Sequence, residues 1–233
     1  MTRPHLLLLH GALGAGGQFS PLKLLLKDAF ETHTLDFEGH GTSPLRGRPL
    51  RMAHYAENVL EYLDQNSILS TSIFGHSLGG HVGLLLAHLH PERVISVFTF
   101  GTKFNWTPEI AEKENRHLLP DKIMKKVPFF GQTLRERHVA AGWEVLLEKQ
   151  REMQLHVACN NPLPDKDLQG ISQRVRISIG DRDRMVTLEE SIRIYRLLEN
   201  GELQVFPQTS HPLERAPIEK LAEAIINFFH DDK

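Results

Sequence analysis

The stretch Gly75-His76-Ser77-Leu78-Gly79 sets a serine between two glycines, each two residues away. That spacing suits a serine held in a strained conformation at a sharp turn from strand into helix, where side chains two positions away would collide. A helix opening beside it aims free N–H groups at any anion that forms there. A glycine-rich helix start with a capping serine reads the same way, so the surroundings must decide. A serine hydroxyl is a poor nucleophile until a base takes its proton, and that base needs a carboxylate to orient it. With 14 histidines in the chain, closeness in sequence selects none of them. Most, including His88, His90, His117 and His138, read as surface or packing residues. His211 stands apart because its loop, residues 207–212, joins the last expected strand to the last expected helix and opens on the same sheet edge as Ser77. For the acid, Gly180-Asp181-Arg182-Asp183 follows the preceding strand. Either aspartate can serve, and Asp181, directly after the glycine, also suits a chain turn. The other common place for this carboxylate, after the strand ending near Phe100, holds no Asp or Glu over residues 99–105.

An oxyanion needs N–H donors. One is the N–H of Leu78, beside the serine. The second is expected from the loop His10-Gly11-Ala12-Leu13-Gly14, with Ala12 first in order and Leu13 next. The same loop lacks the lysine of a phosphate-binding P-loop and the glycine spacing of a dinucleotide site.

These groups require strands that end where the motifs begin. Residues 5–9 form a compact apolar run stopped by Gly11, residues 32–35 and 71–74 are strand-like, and residues 94–100 lack alternation, as in a strand covered on both faces. Between them lie helix patterns. Ser20-Pro21 caps one whose stripe is Leu22, Leu25 and Leu26; Ala56, Val59, Leu60 and Leu63 mark another; residues 78–89 are an apolar third. The alternation pauses after Gly101. Residues 102–170 carry amphipathic helical patterns without a convincing strand. It resumes with a strand at 175–179, a helix opened by a Thr187-to-Glu190 capping box, a strand at 202–206 and a last helix with Ile218, Leu221, Ile225, Phe228 and Phe229 on its apolar face. The expected fold class is α/β, a doubly wound, mostly parallel sheet of about six strands. Residues 1–101 and 171–233 form its core, and residues 102–170 form a helical cap, or lid, over the carboxyl ends of the strands.

With these elements in place the chain resembles the α/β-hydrolase superfamily over nearly its whole length, in its compact esterase and haloperoxidase-like branch. The matching segments are HGALG at His10, DFEGHGTS from Asp36, GHSLGG at Gly75, GDRDRMV at Gly180 and TSHPLERAP at Thr209, in the family's order. The resemblance implies Ser77 as nucleophile, His211 as general base and Asp183 as the acid, since relatives carry it three residues after the strand-terminal glycine. It implies an oxyanion hole from Ala12 and Leu78, and a loop organised by Asp36 and Ser43. Serine at position 77, where haloalkane dehalogenases and epoxide hydrolases of this superfamily carry aspartate, argues against those chemistries. Relatives usually have two strands before the HG loop; here that loop begins at residue 10, so their antiparallel hairpin is expected to be missing.

Composition narrows the rest. The chain has 233 residues, a net charge of −2 and one cysteine. That balance gives no pull toward nucleic acid or membrane, and one thiol builds neither a disulfide nor a cysteine-based zinc site. The expectation is a cytoplasmic protein, monomer or homodimer, acting on a small molecule without cofactor or metal. Within the lid, Phe104, Trp106, Met124, Phe129, Phe130, Trp143 and Met153 concentrate apolar bulk that either lines a pocket or forms the lid's own core. Phe104, Trp106, Phe129 and Trp143, with Leu13 and His76 from the core, are the pocket candidates. Lys122, Lys125 and Lys126 read as a solvated helix face in preference to a carboxylate- or CoA-binding patch. The function implied is a serine hydrolase cleaving a small to medium carboxylic ester or related acyl compound. Two alternatives use the same three residues: a carbon–carbon bond hydrolase or lyase, which inward-pointing cations such as Arg51 or Arg137 would favour, and a ligand-sensing protein with little turnover.

Overall fold

A computed structural model describes residues 3–230. Its strands are β1 (His5–Leu9), β2 (Glu31–Thr34), β3 (Thr71–His76), β4 (Val94–Phe100), β5 (Arg174–Gly180) and β6 (Gly201–Phe206). They make one sheet in the order β2-β1-β3-β4-β5-β6, with every neighbouring pair parallel. The helices are α1 (Ser20–Leu26), α2 (Met52–Gln65), α3 (Leu78–Leu89), α4 (Pro108–Asn115), α5 (Pro120–Lys126), α6 (Pro128–Arg137), α7 (Trp143–Cys159), α8 (Asp165–Gln169), α9 (Leu188–Leu197) and α10 (Ile218–His230). No helix among the described residues is long and apolar enough to cross a membrane.

Alternate residues of a strand face opposite sides of the sheet, so a sheet covered twice draws mostly apolar side chains, with Thr71, Ser72, Ser96, Thr99 and Ser178 as small buried polar exceptions. Leu6, Leu8, Phe74 and Phe98 enter a layer shared with α1 and α10, rich in phenylalanine through Phe19, Phe30, Phe228 and Phe229. Leu7, Leu9, Ile73 and Val97 enter a second, mostly aliphatic layer shared with α2, α3 and α9. Phe98 is wholly buried and packs edge-on to Phe74 and Phe228. Its truncation to alanine is expected to cost ~3–5 kcal/mol. The α10 stripe is buried through Leu221, Ile225, Phe228 and Phe229, while β3 runs to His76 because its ladder continues as far as the His76–Phe100 pair.

The strand order fixes where a site can form. From β1 the chain steps outward to β2, then returns to place β3 on the other side of β1. Connections leaving β1 and β3 therefore diverge, which opens a crevice at the carboxyl ends of these two strands. Helices α4 to α8 fall within residues 102–170. Trp143, Leu146, Leu147, Met153 and Val157 of α7 belong to the same apolar cluster as Val82 and Leu85 of α3. This helical segment thus shares a core with the sheet layer.

Candidate active site

One residue, Ser77, separates β3 from α3, with φ +52 and ψ −116. This is the left-handed side of φ space, which side-chain-bearing residues rarely occupy. Its backbone is held on both sides: the Ser77 N–H donates to the Phe100 carbonyl at 2.8 Å, and its own carbonyl accepts from Thr102 Oγ1 at 2.9 Å and the Gly80 N–H at 3.1 Å. The flanking glycines are needed for close approach. A Cβ on Gly75 would meet the Gly79–Gly80 backbone, and one on Gly79 would meet the Leu9 carbonyl.

The Ser77 hydroxyl lies 3.2 Å from His211 Nε2, to which it donates. His211 Nδ1–H in turn donates to Asp183 Oδ2 at 2.7 Å. The other carboxylate oxygen, Oδ1, accepts from the N–H groups of Met185 at 2.8 Å and Val186 at 3.0 Å. Burial opposes ionisation of Asp183, whose side chain is 1% exposed, but the bond from His211 and the two N–H donors outweigh it and hold the carboxyl below the ordinary carboxylate range. Asp181 does something else: its Oδ1 accepts from the Thr209 N–H at 3.2 Å, tying the end of β5 to the loop bearing His211. That loop is braced again where His76 Nε2–H donates to the His211 carbonyl at 3.0 Å. Gly101, with φ +64, passes beneath the pair, and a Cβ there would come within 3.2 Å of Asp183 Oδ2.

Leu78 is the first residue of α3, so its N–H has no acceptor within the helix. Opposite it, residues 11–14 form a turn closed by the Gly14 N–H on the Gly11 carbonyl at 2.9 Å, with Leu13 at φ +59. The Leu13 carbonyl accepts two bonds from the helical segment, Arg137 Nη1 at 2.9 Å and His138 Nε2–H at 3.0 Å. His138 Nδ1 accepts the Gly41 N–H at 2.9 Å, which fixes its tautomer. Beneath the turn, His10 Nδ1–H donates to the Gly11 carbonyl while its Nε2 accepts the Phe37 N–H, and Gln150 of α7 donates to His40 Nε2 and to the Tyr55 hydroxyl. Burial pulls His10 down to about 3, His76 and His138 to about 4, and His40 well below the ordinary histidine value. These rings are neutral hydrogen-bonding parts. Asp36 organises the adjoining loop, its two oxygens accepting from the N–H groups of Gly16 at 2.8 Å and Thr42 at 2.9 Å, and Ser43 closes it with an N–H on the His40 carbonyl at 2.8 Å.

A cavity of about 800 Å3 opens above Ser77 and His211. Of the six expected pocket residues, Leu13 and His76 border it. The other four require correction. Phe104 is buried, stacked on His81 with its N–H held by Glu190. Trp143 is buried in the aliphatic layer. Trp106 is half-buried with the Lys103 ammonium over its ring, and Phe129 is 85% exposed. Leu118, Ile123 and Val127 take their place in the lining, beside Phe130 of the apolar lid set. Successive helix residues point about 100° apart, so Phe130 reaches the cavity while Phe129, beside it, points to solvent. Arg137 borders the cavity too, whereas Arg51 bonds the neighbouring Leu50 carbonyl. Lys122 and Lys126, expected on a solvated face, are exposed and also border the cavity; Lys125 does not. His138 and Gln150, both buried, were not singled out by any motif. Among the described residues, metal-type donors gather only at His5, Glu31 and His33, at the opposite ends of β1 and β2 from Ser77. There His5 Nδ1 and His33 Nε2 lie 2.9 Å apart, which one shared ring proton accounts for.

Comparison with known proteins agrees with this architecture. Residues 6–224 match the model of the alpha/beta hydrolase family. A pimeloyl-[acyl-carrier protein] methyl ester esterase of Aeromonas hydrophila is 29% identical over 230 residues, covering 92% of this chain and 84% of that protein. A 2-hydroxymuconate semialdehyde hydrolase of Pseudomonas putida is 24% identical over 208 residues, covering 82% and 73%. Among solved structures, a thermophilic esterase from Thermogutta terrifontis superposes with a TM-score of 0.81 at 19% identity, over 99% of this chain and 91% of that one. That last likeness is one of fold.

Proposed function

The chain belongs to the alpha/beta hydrolase family, and on that premise we propose that it is a serine hydrolase cleaving a small to medium carboxylic ester or a related acyl compound. The observation that carries this reading is the run of bonds from Ser77 Oγ through His211 to Asp183 at the floor of a largely apolar cavity. In the proposed reaction Ser77 Oγ attacks the acyl carbon as His211 Nε2 takes its proton. Asp183 keeps the imidazole oriented and stabilises the imidazolium. The N–H groups of Leu78 and Ala12 receive the oxyanion, each such donor being worth about 3–4 kcal/mol in related sites. His211 then returns the proton to the leaving oxygen, the alcohol departs, and the acyl group stays on Ser77. Water attacks that acyl group with His211 again as base, releasing the carboxylic acid. The helices of residues 102–170 act as the lid in this scheme, and the single free cysteine, Cys159, supports a cytoplasmic setting.

Labelling with a fluorophosphonate probe, mapped to peptides, tests the reading alongside a p-nitrophenyl ester panel from acetate to octanoate. Modification at Ser77 with sustained turnover is the expected result. Absence of any labelling would sink it. Labelling without ester turnover would instead favour the second reading, a carbon–carbon hydrolase or lyase, for which the cationic side chains bordering the cavity speak.

A further inference from the structure

The cavity is not electrically even. Its floor is built from residues 11–14, Ser77 and the His211 loop; its far wall is built from α4, α5 and the turn between them. That wall carries Lys113, Arg116, Lys122 and Lys126, and among the described residues none of the four has an ion-pair partner. Arg137 also borders the cavity, but its charge is met by Glu214 at 3.2 Å. Glu114, which has no ion-pair partner among the described residues, borders the same cavity. In a chain of net charge −2, this wall is a local reversal of sign. Lys122 and Lys126 sit four residues apart on one helix, a spacing at which like charges repel. The dipole at the end of α5 compensates Lys126, yet Lys125 shares that last turn and lies off the cavity. Apolar side chains, Leu118, Ile123, Val127 and Phe130, share the same lining with the cations and Ser77.

We propose that the substrate bears an anionic group, carboxylate or phosphate, at the end of an aliphatic chain remote from the bond attacked by Ser77, and that Lys113, Arg116, Lys122 and Lys126 receive it. The proposal rests on the serine hydrolase reading for the position of the reacting bond and names the substrate class of that site. The apolar lining holds the chain, and the cations bind its charged end at the mouth, where the ions stay partly hydrated and need little desolvation.

The test compares p-nitrophenyl hydrogen suberate with its uncharged methyl ester, and adds a phosphonate-terminated ester of the same length to separate carboxylate from phosphate. The expected ratio of kcat/KM, charged over uncharged, is about tenfold, the sum of several partly exposed ion pairs, and it shrinks at high salt. The pair Lys122→Ala with Lys126→Ala, which removes two of the four cations, is expected to lower the ratio to about threefold, and Lys122→Arg with Lys126→Arg to retain it. A wild-type ratio near one for both anions, or one that charge removal leaves unaltered, would overturn the proposal. Calorimetric binding of the same esters to Ser77→Ala protein reads the preference without turnover. If no ester is hydrolysed, the serine hydrolase reading fails, and this binding comparison alone decides whether the anion preference stands.

Discussion

The floor and the far wall of the cavity are built by different means. On the floor, positions are set by main chain: the φ of Ser77, glycines packed against carbonyls, and the Asp183 carboxylate pinned by two N–H groups. On the wall, helices α4 and α5 present the tips of long side chains, several of them exposed cations. Reaction geometry tolerates errors of a fraction of an ångström, and main chain held by neighbouring strands supplies that precision. A wall of flexible side chains is suited to recognising a chain and a charge. Substitutions on the floor should therefore act on kcat, and those on the wall on KM.

The largest expected effect tests the floor directly. Ser77→Ala should lower kcat/KM by about 10^4-fold or more while circular dichroism stays native; retained turnover would place the nucleophile elsewhere. Next, Asp183→Asn should cost about 10^3–10^4-fold, and Asp181→Asn less than about tenfold, because only Asp183 touches His211. The reverse order would reassign the acid.

The third prediction concerns the histidines between floor and wall. His10, His76 and His138 titrate below the ordinary value of 6.5, so between that value and about 4 the unfolded chain binds protons that the folded chain refuses. Their stabilisation is complete above pH 6.5 and is lost as pH falls toward 4, on the order of 3 kcal/mol for a ring such as His138. Urea midpoints measured from neutral to acid pH should fall through that window, and less steeply in His138→Gln. A flat profile would mean the rings are not held neutral. The smallest effect separates two neighbours on the wall. Phe130→Ala should raise KM about three- to tenfold for a medium-chain ester, whereas Phe129→Ala, truncating a side chain 85% exposed, should leave it unchanged.

The same division explains what the sequence reveals. Ser77 and its glycines are legible because a strained elbow restricts residue types within a few positions. His211 follows from its loop. Asp181 and Asp183 are not separable by local chemistry, since both follow Gly180; the family pattern favours Asp183, and the contact over Gly101 gives the physical reason. The sheet is legible because β1 carries an unbroken run of leucines and β4 a mostly apolar one without alternation, as strands covered on both faces do. The wall is not, since which face of a short helix meets the cavity depends on tertiary packing. His138 escapes notice for a related reason: its partners are main-chain groups of Leu13 and Gly41, remote in sequence, and a single histidine after a helix leaves no pattern.

The Leu13 carbonyl, held by Arg137 and His138, bears on how such proteins diversify. A helical insertion tied only at its two ends would be a portable module, exchangeable between homologues to transplant selectivity. Here a graft that lacks this Arg-His pair would release the turn that carries Ala12. Chimeras made at residues 102 and 170 are thus expected to inherit a new pocket together with a loosened turn at residues 11–14, unless both side chains travel with the graft.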